Sequence, residues 1–152
     1  MARTDPTGAT PAHALEHIQS LPSWLTGRVA TRARELVAEA LAAEGLRLGH
    51  HAVLAAVVAH GPLAQAELVR RLDLDAKDVV VHLDHLQQRG LVQRRPDPAD
   101  RRKNAVSATE EGIATLARCT ELAEQANNRL LEPLSTAEQQ LLISLLARLQ
   151  QD

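Results

Sequence analysis

The residues best equipped for chemistry in this chain are arginines set close together. Between positions 89 and 103 stand Arg89, Arg94, Arg95, Arg101, Arg102 and Lys103 against Asp97 and Asp100, a local charge of +4. The whole chain carries a formal charge of -2, so the remainder is -6. A guanidinium is planar, always charged, and pairs its donor fork with phosphate oxygens. A basic patch on an acidic body suits oriented phosphate binding, although a charge run also serves as a plain solvated loop. Histidines form a second group: His50 and His51 are adjacent, and His82 and His85 are three apart. Imidazole is a common metal ligand. No Cys, Asp or Glu completes a zinc spacing, however, and HExxH is absent, so these read as structural or DNA-facing groups and no metal or cofactor is expected. Cys119 is the only cysteine, which excludes an intrachain disulfide and points to a reducing compartment. With no second cysteine to resolve an oxidised thiol, it reads as a buried thiol rather than a redox sensor. No GxGxxG, Walker loop or GxSxG is present, so the chain is not expected to be an enzyme.

The elements that must position these groups follow from pattern and breakers. The chain has 152 residues, 45% hydrophobic and 24% charged, enough for one domain with a real core. Trp24 is its sole aromatic residue, so the core must be Leu, Val, Ile and Ala, and nucleic-acid binding by base stacking is disfavoured. Residues 1–12 lack an apolar segment and read as a disordered tail rather than a signal peptide. The longest apolar run, Ala52 to Ala59, is too short to span a membrane, and a cytoplasmic protein is expected. A helical pattern starts near Pro11, breaks at Pro22 and resumes to about Ala43, with Leu25, Val29, Leu36, Val37 and Leu41 as apolar positions. Further helices are expected at about 50–60, 65–72 and 76–89. In the last of these Val79, Leu83 and Leu86 fall on one face, and Asp75 and Asp78 offer a capping-box arrangement. The period then changes: Leu91 to Arg95 and Lys103 to Ser107 read as strands about the turn Pro96-Asp97-Pro98-Ala99-Asp100, giving a hairpin with a basic tip. A long helix is expected over about 110–131, capped by Thr109 or Ser107 and broken by Pro133. Ser135 and Glu138 form a capping box for the last helix, whose Leu141, Leu142, Leu145, Leu146 and Leu149 line one stripe.

Helix, tight turn at 73–75, helix, then basic hairpin is the layout of a winged helix-turn-helix. A helix fits the major groove of B-DNA and its N-terminal residues reach base edges, while a hairpin beside it can lay cations along phosphates or into the minor groove. Three segments carry a family resemblance: Gly61-Pro62-Leu63-Ala64-Gln65-Ala66-Glu67-Leu68, Asp75 through Val92, and Arg95-Pro96-Asp97-Pro98-Ala99-Asp100-Arg101-Arg102 followed by Val106 to Gly112. Over roughly residues 22–150 the chain resembles MarR-type regulators. The last segment, at that distance from the second helix, is the most specific part. The resemblance implies a mainly α fold with a small β-hairpin wing. The DNA-binding lobe would span about 48–108, and dimerisation helices about 13–44 and 109–150, within a single domain 13–152. It implies a homodimer on a double-stranded operator, with Arg102 inserted into the minor groove and Asp100 bracing it. The chain departs from the family at Ala64, where Ser or Thr is common, and along the second helix, whose outer face offers Ala76, Lys77, Val80, Val81, Asp84 and His85. Val80 and Val81 suit thymine methyl groups. His82 stands where the apolar stripe expects Leu.

The expected DNA-binding residues are therefore Gln65, Ala76, Lys77, Val80, Val81, His85, Arg94, Arg95, Asp100, Arg101, Arg102 and Lys103. Donors are sparse on the helix and dense on the wing, so phosphate contacts and groove shape should dominate affinity. MarR-type dimers commonly bind small aromatic ligands near the junction of their first helices. Trp24, Arg28, Arg47, His50 and His51 flank that junction and would suit an anionic aromatic compound; core filling with surface charge accounts for them equally well. The leading reading is a ligand-released repressor on an inverted-repeat operator. The alternatives are a winged-helix interaction or dimerisation module that does not bind DNA, for which a basic tip has no use, and a redox- or metal-sensing variant of the regulator, some relatives being regulated through a cysteine.

Overall fold

Prolines, glycines and capping side chains divide the chain. The computed structural model describes residues 11–150. Of the expected tail, residues 1–10 lie outside the described residues, and Pro11 opens the first helix. Pro22, at a first-turn position where a missing N–H costs nothing, separates α1 (Pro11–Ser20) from α2 (Pro22–Leu41). A 3-10 turn, Ala42–Glu44, ends at Gly45, whose φ of 67° is the left-handed conformation that glycine adopts without penalty. Helix α3 (Leu48–His60) starts two residues before the expected His50, because the Arg47 N–H donates to His50 Nδ1 at 3.0 Å and closes the first turn from inside. Helices α4 (Gln65–Leu72) and α5 (Ala76–Gln88) flank a turn in which Asp73 takes φ 50°. Asp75 caps α5 by accepting from the Lys77 N–H at 2.7 Å. The return bond expected from Asp78 is not formed: an aspartate is one methylene shorter than the glutamate of a capping box.

Strands β2 (Val92–Pro96) and β3 (Asn104–Ala108) form the hairpin, each one residue later than the sequence pattern suggests. The shift has a cause. The Leu91 N–H still bonds to the Leu86 carbonyl at 2.9 Å, so Leu91 belongs to the C-terminal closure of α5. A two-residue strand, β1 (Leu63–Ala64), was not expected; it pairs antiparallel with β3 through Leu63 and Val106. The order β1-β3-β2 leaves β2 at an edge, where Pro96 is tolerated. Helix α6 (Glu110–Leu131) begins at Thr109, whose Oγ1 accepts from the Gly112 N–H at 3.0 Å and donates to the Gly90 carbonyl at 2.6 Å. One hydroxyl thus joins the end of α5 to the start of α6. Helix α7 (Thr136–Leu149) carries the expected Ser135–Glu138 capping box.

The architecture is mainly helical with a small antiparallel sheet, the winged helix-turn-helix expected from the sequence. Its core lies where α3, α4, α5 and the sheet meet, with Val53, Leu54, Leu68, Leu83 and Leu86 fully buried. The terminal helices are different. Leu15, Ile18, Leu25, Val29, Leu141, Leu145 and Leu146 are exposed, and Leu149 is 80% exposed. Helix α2 is therefore buried only towards its C-terminal half, through Leu36 and Leu41. Among the described residues, no single helix is long and apolar enough to cross a membrane.

Candidate nucleic-acid interface

Helix α5 buries Val79, Leu83 and Leu86, which turns Ala76, Lys77, Val80, Val81 and Asp84 to solvent. Val81 is 63% exposed, a large value for a β-branched side chain with no structural task on the surface. Gln65 opens α4 half-buried, and Ala64 before it has no side chain with which to cap that helix.

Two of the expected contacts point elsewhere. His85 faces α3, not the outer surface: its ring stacks on His50 with centroids 4.1 Å apart and planes 6° apart, and its Nε2 is buried. His82, one turn earlier on the same side, meets His50 edge-on at 5.0 Å. Arg94 is also turned inward. Successive strand residues alternate faces, so Arg94 shares the face of buried Val92 and lies over α5. There its Nη1 donates to Asp84 Oδ1 at 2.7 Å and to Gln87 Oε1 at 2.8 Å, and its side chain is only 21% exposed.

The remaining wing cations do face solvent. Arg95, Arg101, Arg102 and Lys103 are all exposed. The tip is ordered by its aspartates. Asp97 Oδ1 accepts from the Ala99 N–H at 2.8 Å. Asp100 Oδ1 accepts from both the Arg102 N–H at 3.1 Å and Arg102 Nε at 3.3 Å. The Arg102 side chain is nevertheless 92% exposed, so Asp100 aims it without covering it. Its two Nη groups project free of that bond, a geometry able to enter a groove lined with acceptors.

Arg89, counted with the basic stretch in the sequence, belongs to a different contact. It donates from Nη2 to the Glu44 carbonyl at 3.0 Å and from Nη1 to the Gly45 carbonyl at 3.3 Å. The Glu44 carboxylate in turn receives Arg118 Nε at 2.9 Å and Nη2 at 3.2 Å. Helix α5, the second helix of the helix-turn-helix, is thereby tied to the turn after α2 and to α6. A cation near a helix C-terminus is a readable signal, but partners more than forty residues upstream are not.

The five residues expected near one ligand pocket are divided. Trp24 and Arg28 lie together on an open, shallow face of α2, with Gly27, Thr31, Arg32 and Glu35. Arg47, His50 and His51 are not part of that face and sit at the start of α3. The cause is helix rise: Arg28 lies thirteen residues before the end of α2, about 20 Å of helix. His50 is a core group, 6% exposed, and burial together with His85, His82, Arg47 and Arg89 lowers its pKa to about 4. Burial also lowers that of His51. The stacked imidazoles lie in nearly parallel planes, and among the described residues no group of three or more His, Cys, Asp or Glu is placed to hold a metal ion. Cys119 is fully buried, and burial reinforced by Glu44 raises its thiol pKa, which keeps it a thiol.

A helix-turn-helix with an exposed recognition face and a braced basic wing defines a winged-helix protein of the DNA-binding class. The model of the MarR family matches residues 44–103. The HTH-type transcriptional repressor NicR of Pseudomonas putida is 35% identical over 96 residues, 63% of this chain and 61% of that relative's length. The match therefore spans about three-fifths of that protein. Among solved structures, the transcriptional repressor CouR bound to a 23-mer DNA duplex superposes with a TM-score of 0.82 at 30% identity, covering 90% of this chain and 97% of that one. BpsR of Bordetella bronchiseptica, whose DNA binding is regulated by 6-hydroxynicotinic acid, gives 0.79 at 26% identity, covering 90% and 98%. The chain belongs to the MarR family, whose members are transcriptional regulators, not enzymes.

Proposed function

We propose that this protein is a sequence-specific regulator that binds double-stranded DNA as a homodimer and represses transcription until a small anionic aromatic molecule releases it. The observation that carries the reading is the wing: Arg102 is held by Asp100 yet 92% exposed, while Lys77, Val80 and Val81 of α5 are exposed as well. Arg95, Arg101 and Lys103 supply phosphate contacts around it, and Lys77, Val80 and Val81 meet base edges in the major groove. The likeness to a DNA-bound repressor supports this reading. Exposed leucines on α1, α2 and α7 support a second copy as their cover, since such a run of apolar side chains is costly in water. Two-fold symmetry then places the recognition helices about 34–36 Å apart, on an inverted repeat. Trp24, Arg28 and Arg32 on α2 offer a ring face and two cations to an aromatic carboxylate held where the two copies meet, the class to which the BpsR effector belongs.

The test is selection of bound duplexes from a random pool, followed by titration of the winning sequence. An enriched inverted repeat, released by 6-hydroxynicotinate or a related aromatic carboxylate, is the expected result. A protein that retains no duplex against nonspecific competitor overturns the DNA-binding reading. A complex indifferent to all such carboxylates overturns the effector reading alone.

A further inference from the structure

Arg94 lies in the basic stretch yet faces away from the surface that the other wing cations share. One nitrogen, Nη1, feeds two acceptors on α5: Asp84 Oδ1 at 2.7 Å and Gln87 Oε1 at 2.8 Å. Asp84 and Gln87 are three residues apart on the helix, so the fork spans most of a turn. At the other end, Arg94 sits in the middle of β2, opposite buried Val106 of β3. Two hydrogen bonds from one rigid plane fix both the distance and the rotation between strand and helix. Asp84 is an acid on the side of α5 expected to approach phosphate, and its carboxylate is half exposed. Left alone it would repel DNA; paired with Arg94 its charge is offset.

Resting on the DNA-binding reading above, we propose that the Arg94–Asp84–Gln87 clasp is a positioning device that sets the wing against the recognition helix, and that Arg94 is not itself a DNA contact. The wing and α5 then approach two grooves as one body. Breaking the clasp from either side lets the hairpin swing, and the ordering must be supplied on binding.

The two roles open to Arg94 differ in sign at Asp84. If Arg94 were a phosphate contact restrained by Asp84, Asp84→Ala would free a cation, remove a repelling acid and tighten binding. If the clasp positions the wing, Asp84→Ala weakens binding despite removing that acid. Asp84→Asn separates geometry from charge, because the amide oxygen still accepts from Nη1. The experiment measures operator affinity and its salt slope for wild type, Arg94→Ala, Asp84→Ala, Asp84→Asn and the double variant Arg94→Ala/Asp84→Ala. Amide hydrogen exchange over residues 92–104 is followed without DNA.

Expected are losses of about tenfold for Arg94→Ala and Asp84→Ala, no further loss in the double variant, and near wild-type affinity for Asp84→Asn. The salt slope of Arg94→Ala stays at the wild-type value, whereas loss of a phosphate contact lowers it by about one. Exchange in the wing accelerates in both alanine variants and not in Asp84→Asn. Tighter binding by Asp84→Ala, a reduced slope for Arg94→Ala, or unchanged wing exchange overturns the proposal. The exchange measurement needs no DNA, so it also separates failure of the clasp from failure of the DNA-binding reading, which the wild-type titration reports.

Discussion

Acid should weaken this fold through His50 by more than its carboxylates explain. The side chain is 6% exposed, its Nδ1 accepts the Arg47 N–H, and its ring packs against His85 and His82 of α5 with Arg47 and Arg89 nearby. Burial is the largest cause, followed by those cationic or ionisable neighbours, and the pKa falls from 6.5 to about 4. The folded chain therefore binds fewer protons than the unfolded chain between those values. The stability due to neutral His50 is complete above pH 6.5 and is lost as pH falls towards about 4. At about 1.4 kcal/mol per pH unit, the loss approaches about 3 kcal/mol. Protonated Nδ1 also cannot accept the capping bond that starts α3. Urea denaturation of wild type and His50→Gln, at about pH 7 and about pH 4, isolates the effect, since Gln at this position offers an acceptor to the same N–H without titrating. Wild type should lose about 3 kcal/mol more than the variant over that interval. Equal losses would refute the argument and place His50 in a polar, well-solvated setting.

Three further outcomes follow from local geometry. Gly112→Ala would place a Cβ 2.0 Å from the Leu91 carbonyl oxygen, a backbone atom that cannot step aside, and should lower stability by about 1–3 kcal/mol in thermal melts. Cys119 should react with a thiol reagent only at the rate of opening, so the labelling rate should rise sharply in denaturant, and peroxide should leave DNA affinity unchanged. Removing the residues after Pro133 takes away the exposed leucines of α7, and sedimentation should then show a monomer with little DNA affinity.

Elements bounded by strong local signals were legible. Helix α6 runs between its Thr109 cap and Pro133, and the i, i+4, i+7 spacing of Val79, Leu83 and Leu86 marked α5 and its buried face. The wing was legible as a hairpin but misplaced by one residue, because the Leu91 N–H closes α5 through a bond that no strand pattern reveals. Strand β1, with two residues, is too short to show a period. Charge was readable and direction was not. Strand alternation put Arg94 on the face of Val92, but only folding supplies Asp84 and Gln87 beneath it. Arg89 finds carbonyls 44 and 45 residues away in sequence. His85 was assigned to the DNA side because it is polar and on a recognition helix, whereas His50, thirty-five positions earlier, draws it to α3. The five residues named for a ligand are divided by length: Trp24 and Arg28 lie on α2 while Arg47, His50 and His51 stand at the start of α3, with the rise of α2 between them.

If exposed wing arginines carry the contact with DNA, as proposed, the salt dependence of binding depends on them. Affinity for the selected operator and for a scrambled duplex is measured across a range of salt for wild type and for Arg101→Ala/Arg102→Ala, both side chains being exposed at the wing tip. Wild-type affinity should fall steeply with salt, and the double variant should show a slope shallower by about two on both duplexes. A shallow wild-type slope, or one unchanged by loss of both arginines, would contradict the proposal and move the binding to the recognition helix alone.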